Sequence, residues 1–191
     1  MAAKKENLMN FYKSELSAML SDLDFQRYFP DVEQKIMKYS QLAQYSSISD
    51  LFPGNENDYR IILIESEKNS GHWVSLLKVG KELTFFDSYG IYPDDELNFI
   101  SKMKNRLLGQ GRQEIRRLMK TGEKIKFKCF FSKTKYQSDN QNVNSCGRWV
   151  CLSIHMLYQQ KYSLPEMKKI IDEVKKTTGK PYDIIVVDFT T

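Results

Sequence analysis

The chain has 191 residues, 41% of them hydrophobic and 28% charged, with a formal net charge of +5. This is an ordinary soluble composition at the length of one domain with a real core. No run approaches the roughly 18 apolar residues of a membrane span, and no apolar stretch follows Met1-Ala2-Ala3-Lys4-Lys5-Glu6, so a secretory signal is not expected either.

Leu8, Phe11, Tyr12, Leu16, Met19, Leu20 and Leu23 recur at helical spacing, and Pro30 breaks that helix. Val32, Ile36, Tyr39 and Ala43 predict a second helix, and Ser46–Asp50 with Pro53-Gly54-Asn55 predicts a loop. Three strand-like runs follow, Arg60–Glu65, His72–Leu77 and Glu82–Asp87, joined by turns short enough for antiparallel pairing. Leu97, Ile100, Lys104, Leu107 and Leu108 share a helical face, which Ile115, Leu118 and Met119 continue. Lys124 to Phe130 alternates as a half-buried strand with lysines outward, and Cys129 is expected on the lysine side or at an edge.

Cys146 to about Gln160 predicts a buried central helix, with Asn144 or Ser145 as its N-cap. Ser163 and Glu166 form a capping-box pattern opening another helix, which Gly179 and Pro181 stop. Tyr182–Val187 predicts a final strand. The expected fold is one α+β domain, a small mixed or antiparallel sheet packed by helices.

Three cysteines (129, 146, 151) and no Cys-x-x-Cys pair argue against a disulfide framework and fit a reducing compartment. With only His72 and His155 beside them, a structural zinc site is not expected. Charge is uneven. Twelve Lys or Arg oppose two Glu between Lys102 and Lys135, a local +10 that leaves −5 elsewhere. A solvated face explains this, and so would a DNA-facing side built on Arg112, Arg116, Arg117, Lys120, Lys124 and Lys126.

The chemistry-bearing residues are Cys146, His72 and Asp87. A thiolate needs a lowered pKa, which a helix N-terminus and a nearby imidazolium both supply. Cys146 stands where a helix would start. His155 lies nine residues further along the same helix, about 13 Å away, and cannot reach the thiol. His72 is therefore the base. Asp87 ends the strand expected to pair with that of His72, where a carboxylate can hold the ring's tautomer. Oxyanion donors would be the Cys146 N–H and a glutamine, Gln137 in preference to Gln141, which lies in a polar loop.

The order His72-Trp73, Asp87, Gln137 and Cys146-Gly147 resembles the adenain/Ulp-type cysteine peptidases, the clan of adenovirus maturation protease and SUMO proteases. Phe86-Asp87-Ser88-Tyr89-Gly90 and Asn144-Ser145-Cys146-Gly147-Arg148-Trp149 are most similar to the maturation proteases of virophages, Polinton-type elements and large DNA viruses. The resemblance spans roughly Arg60 to Gln160. It implies a single cysteine protease domain over 1–191, with a helical part at 1–55 and a catalytic core at 56–191, its nucleophile at the start of a central helix. It also implies a Cys-His-Asp triad with a Gln oxyanion hole and no metal or organic cofactor.

Trp73 would wall a cleft favouring Gly before the cut. The implied substrates are capsid and other virion precursor proteins. The implied location is host cytoplasm or virus factory and virion interior, without membrane association. A ubiquitin-like-modifier deconjugase, an acetyltransferase of the same clan and a DNA-binding virion protein are the alternatives. The basic 102–135 stretch leaves DNA as a partner to be tested.

Overall fold

Continuous apolar runs give the centre of the molecule its strands. The computed structural model describes residues 2–54 and 56–191, so Asn55 of the expected loop and Met1 lie outside the described residues. Strands β2 (Asp58–Glu67), β3 (Ser70–Val79) and β4 (Glu82–Phe86) form an antiparallel meander. β1 (Ile36–Lys38) and β5 (Lys128–Phe131) extend it in parallel on the two edges, in the order β1-β2-β3-β4-β5. The fold is α+β with a mixed five-stranded sheet packed by helices.

Both faces of this sheet are covered, which is why β2 and β3 read as near-continuous apolar sequence. Ile61, Leu63, Trp73, Leu77 and Phe86 face one core, shared with Trp149, Val150 and Leu152 of α6 (Cys146–Ser153). Ile62, Ile64, Val74, Leu76 and Phe85 face the other, shared with Ile115, Leu118 and Met119 of the helix Glu114–Lys124. The helices in chain order are α1 (Ala2–Ser17), α2 (Asp22–Tyr28), α3 (Ile48–Leu51), α4 (Lys102–Leu107), α5 (Glu114–Lys124), α6, α7 (Leu164–Thr178) and α8 (Tyr182–Phe189). Among the described residues, no helix is long and apolar enough to cross a membrane.

The structure differs from the sequence reading at several elements. The expected helix over Val32–Ala43 is a short 3₁₀ turn, then β1, then a second 3₁₀ turn at Tyr39–Gln44. Pairing of Ile36–Lys38 with Ile61–Leu63 outweighs the helical spacing there. The first helix is split in two at 18–21. The 97–119 face is divided among a 3₁₀ turn at Asp95–Phe99, α4 and α5.

β5 begins only at Lys128, because Lys124 ends α5 and Lys126 takes a left-handed turn at φ +69°. Cys129 lies on an edge strand, one of its two expected places; it is half-buried on the same side as Phe131 and opposite exposed Lys128, not on the lysine side. Its thiol points at the Met119 carbonyl, 3.7 Å away. Burial, with Glu123 nearby, pushes its pKa up to about 11.

The predicted final strand at 182–187 is a helix, α8, with Pro181 at its N-cap and buried Ile185, Val186 and Val187 against the α6 core. The capping box of α7 forms as expected: the Glu166 N–H meets the Ser163 hydroxyl and the Ser163 N–H the Glu166 carboxylate, and left-handed Gly179 closes the helix.

Candidate active site

His72 lies near the start of β3 and Asp87 one residue beyond the end of β4. The register of the pair, Ser75 opposite Phe86, carries both side chains to one end of the sheet. The chain then turns: Gly90 N–H donates to the Asp87 carbonyl at 3.1 Å, with Gly90 at φ +69°. A Cβ at Gly90 would come within 2.8 Å of Thr134 backbone, so a glycine lets the segment after β5 pass close by.

His72 Nε2 sits 3.1 Å from Asp87 Oδ1, both side chains buried. With Nε2 on the carboxylate, Nδ1 is the ring atom left for Cys146, which lies near enough to the imidazole for each group to shift the other's pKa. The Tyr89 ring stacks on His72 at 4.8 Å between centroids. The Tyr89 N–H donates to Asp87 Oδ1 at 2.7 Å, fixing the carboxylate, whose Oδ2 is buried without a hydrogen-bond partner.

Cys146 is the first residue of α6, and all eight residues of that helix are buried. Of the two cap candidates, Ser145 takes the expected N-cap position, with helical backbone, but makes no side-chain cap bond. Its hydroxyl instead donates to Asp183 Oδ1 of α8 at 2.6 Å. Asn144 binds the other way: its N–H donates to the Leu16 carbonyl at 2.7 Å and its side-chain amide to the Ser17 carbonyl at 2.9 Å. The end of α1 is thereby fastened to the residues preceding the thiol. Leu20 packs onto Gly147, where a Cβ would come within 2.8 Å of the leucine Cβ.

The electrostatics follow from this burial. Desolvation opposes the charged form of His72, but the Asp87 carboxylate and the Cys146 sulfur outweigh it and raise the imidazole pKa well above its ordinary value. Desolvation also opposes the Cys146 thiolate. The His72 hydrogen bond and charge, with the N–H groups of Trp73 and Gly147 on the sulfur, outweigh it and lower the thiol pKa. Both shifts run toward the thiolate–imidazolium form of the pair. Cys151, one turn along α6, is pushed far up by burial and stays a thiol. His155 is exposed and bonds Gln159 at 2.8 Å, away from the site.

Gln137 is held by Ser88. Its N–H donates to the Ser88 carbonyl at 3.0 Å, and its Oε1 accepts from the Ser88 hydroxyl at 2.8 Å. One N–H of its amide is spent on the Val143 carbonyl at 3.0 Å, within the loop that leads into Cys146. Gln141 is exposed in that loop. Trp73 donates from its indole to the Leu20 carbonyl at 3.0 Å and meets Phe25 edge-on. It lines, with Leu20, Leu63, Gly71 and Cys146, an open cleft of about 540 Å³ leading to the sulfur.

The six basic candidates do not form one free face. Arg116 pairs with Asp95 and covers the Tyr92 ring, and Arg117 binds Glu114 and the Leu42, Tyr45 and Ser46 carbonyls. Arg112, Lys120, Lys124 and Lys126 are exposed.

The sequence reading missed the residues that tie the site together, Leu20, Ser88 and Asp183. Their roles depend on contacts between segments far apart in the chain, for which local spacing carries no signal. No group of His, Cys, Asp and Glu among the described residues is arranged to hold a metal ion.

No protein-family model matches the chain. The chain is similar to uncharacterized protein V9 of the Sputnik virophage, at 29% identity over 145 residues spanning 75% of this chain and 78% of that protein.

Proposed function

We propose that the chain is a cysteine endopeptidase of adenain/Ulp type that trims virion precursor proteins. The observation that carries this reading is the line Asp87–His72–Cys146, with the sulfur at a helix start and open to a cleft. Similarity to a virophage protein supports the viral setting.

The Cys146 thiolate adds to a peptide carbonyl carbon and makes a tetrahedral oxyanion. In this reading the oxyanion donors are the Cys146 N–H and the second N–H of the Gln137 amide, the one not used on Val143. The His72 imidazolium protonates the amine as the C–N bond breaks, leaving a thioester. His72, now neutral, takes a proton from water, which attacks the thioester and releases the new carboxyl end. Asp87 keeps the ring oriented and balances its charge throughout. Every step is acid–base and nucleophilic chemistry of these side chains, so no cofactor has a part to play. Trp73 and Leu20 narrow the cleft at the sulfur, which favours glycine next to the scissile bond.

The test is incubation of the purified protein with the capsid and core precursors of the genome that encodes it, read by intact mass. A discrete trim ending after a small residue, absent with Cys146→Ala, is the expected result. Cleavage that persists in Cys146→Ala removes the thiol as nucleophile and ends the proposal.

A further inference from the structure

A second concave surface lies at the opposite end of the sheet. Val79, which ends β3 just before the Gly80-Lys81 turn, is seven residues from His72, about 23 Å at strand rise. Lys81, Lys126, Lys128 and Lys161, from three separate segments, converge there on a concavity of about 540 Å³. The Lys128 N–H donates to the Lys81 carbonyl at 2.9 Å, which fixes two of the four side by side.

None of the four forms an ion pair among the described residues, and Lys81 Nζ lies over the Phe127 ring, 4.8 Å from its centroid. Lys126 and Lys161 also occupy left-handed backbone, at φ +69° and +60°. Glycine or asparagine would take that conformation at lower cost. The ammonium groups are thus concentrated without a carboxylate paired to any of them, two of them on backbone that disfavours a long side chain.

The basic concavity runs into a second one of about 300 Å³, the two sharing Val79, Glu82 and Lys161. Phe130 and Tyr162, each 41% exposed, line this second part. Unpaired cations along a groove next to exposed aromatic rings are what a strand of phosphates with unstacked bases requires. A duplex keeps its bases stacked away from such rings, and a bare polyphosphate makes no use of them.

We propose that this groove binds single-stranded nucleic acid, with phosphates on Lys81, Lys126, Lys128 and Lys161 and bases on Phe130 and Tyr162. The site is separate from the Cys146 cleft and stands or falls independently of the peptidase reading.

The test is fluorescence anisotropy of the full chain with a labelled oligothymidine of about ten nucleotides. The same sequence as a duplex and inorganic polyphosphate serve as competitors. Expected results are binding that weakens steeply with salt and poor competition by both competitors. Lys126→Glu/Lys128→Glu should lose affinity about tenfold or more. Phe130→Ala and Tyr162→Ala should each lose roughly fivefold or more. Glu82→Gln should bind more tightly, because it removes the carboxylate between the two halves.

All these side chains are exposed, so unchanged thermal melting and an unchanged Cys146 alkylation rate serve as folding controls. Equal competition by polyphosphate, aromatic variants that bind like the wild type, or no binding at low salt would each overturn the proposal.

Discussion

At the scale of single residues, the His72–Cys146 pair makes its own pH signature. The His72 charge lowers the pKa of the thiol, so the thiolate should persist below the ordinary cysteine value of about 8.5. Iodoacetamide should therefore alkylate Cys146 faster than an ordinary cysteine at pH values below about 8.5, and the rate should fall as pH drops through the lowered value. Replacing His72 by Ala takes away the cation and leaves burial opposed only by the Trp73 and Gly147 N–H groups, so the midpoint of the alkylation profile should move upward. An unmoved midpoint would mean that the pair is not coupled. Gln137 and Gln141 separate in the same way. Gln137→Ala should slow peptide cleavage by about 10²-fold with little change in KM, as loss of one oxyanion donor does. Gln141→Ala, at an exposed position, should leave both constants unchanged. The reverse outcome would transfer the oxyanion role to the loop.

At the scale of elements, the contact of Leu20 with Gly147 joins the 18–21 connection to α6. Gly147→Ala places a methyl group against Leu20 and should cost about 1–3 kcal/mol in urea unfolding. Leu20→Ala costs stability by leaving a void, yet the double variant should lose less than the two singles combined, because each makes room for the other. Strict additivity would show that the two do not press on each other. Asp94 plays a similar joining role on the other face. Its carboxylate accepts from the Ile115 and Arg116 N–H groups at the start of α5 and from the Tyr39 hydroxyl. Asp94→Ala strips all three and should cost roughly 2–4 kcal/mol by thermal or urea melting.

The same scale explains what could be read in advance. The three meander strands, the capping box at Ser163 and the helix start at Cys146 are local patterns and were legible. Residues 182–187 were not, because six residues rich in Ile and Val fit a buried strand and a buried helix equally well. Pro181 and the packing of Val186 on the α6 core decide for the helix. Ile36–Lys38 misled in the opposite direction: helical spacing was present, but the free edge of β2 captured the segment. In the candidate site, Cys146, His72 and Asp87 could be found from their order. The grip of Ser88 on Gln137 and of Asp183 on Ser145 depends on how distant segments meet.

At the scale of the whole molecule, both end segments converge on α6. Buried Arg148 pairs with Glu15 of α1 and donates to the Thr190 carbonyl and hydroxyl at 3.2 and 3.0 Å. Arg148→Met should cost about 3 kcal/mol, since Glu15 and the Thr190 oxygens lose their donor, and chemical denaturation would measure it. Asp183 reaches back across 38 positions to hold the Ser145 hydroxyl, and it also accepts from the Ser138 N–H. This arrangement has a consequence for the moment of synthesis. Cys146 leaves the ribosome before Asp183 and Thr190 can take up their places around it. The loop ahead of the thiol then lacks its clasp. On the proposed peptidase reading, full reactivity would thus be withheld from the growing chain and arrive once α8 has docked.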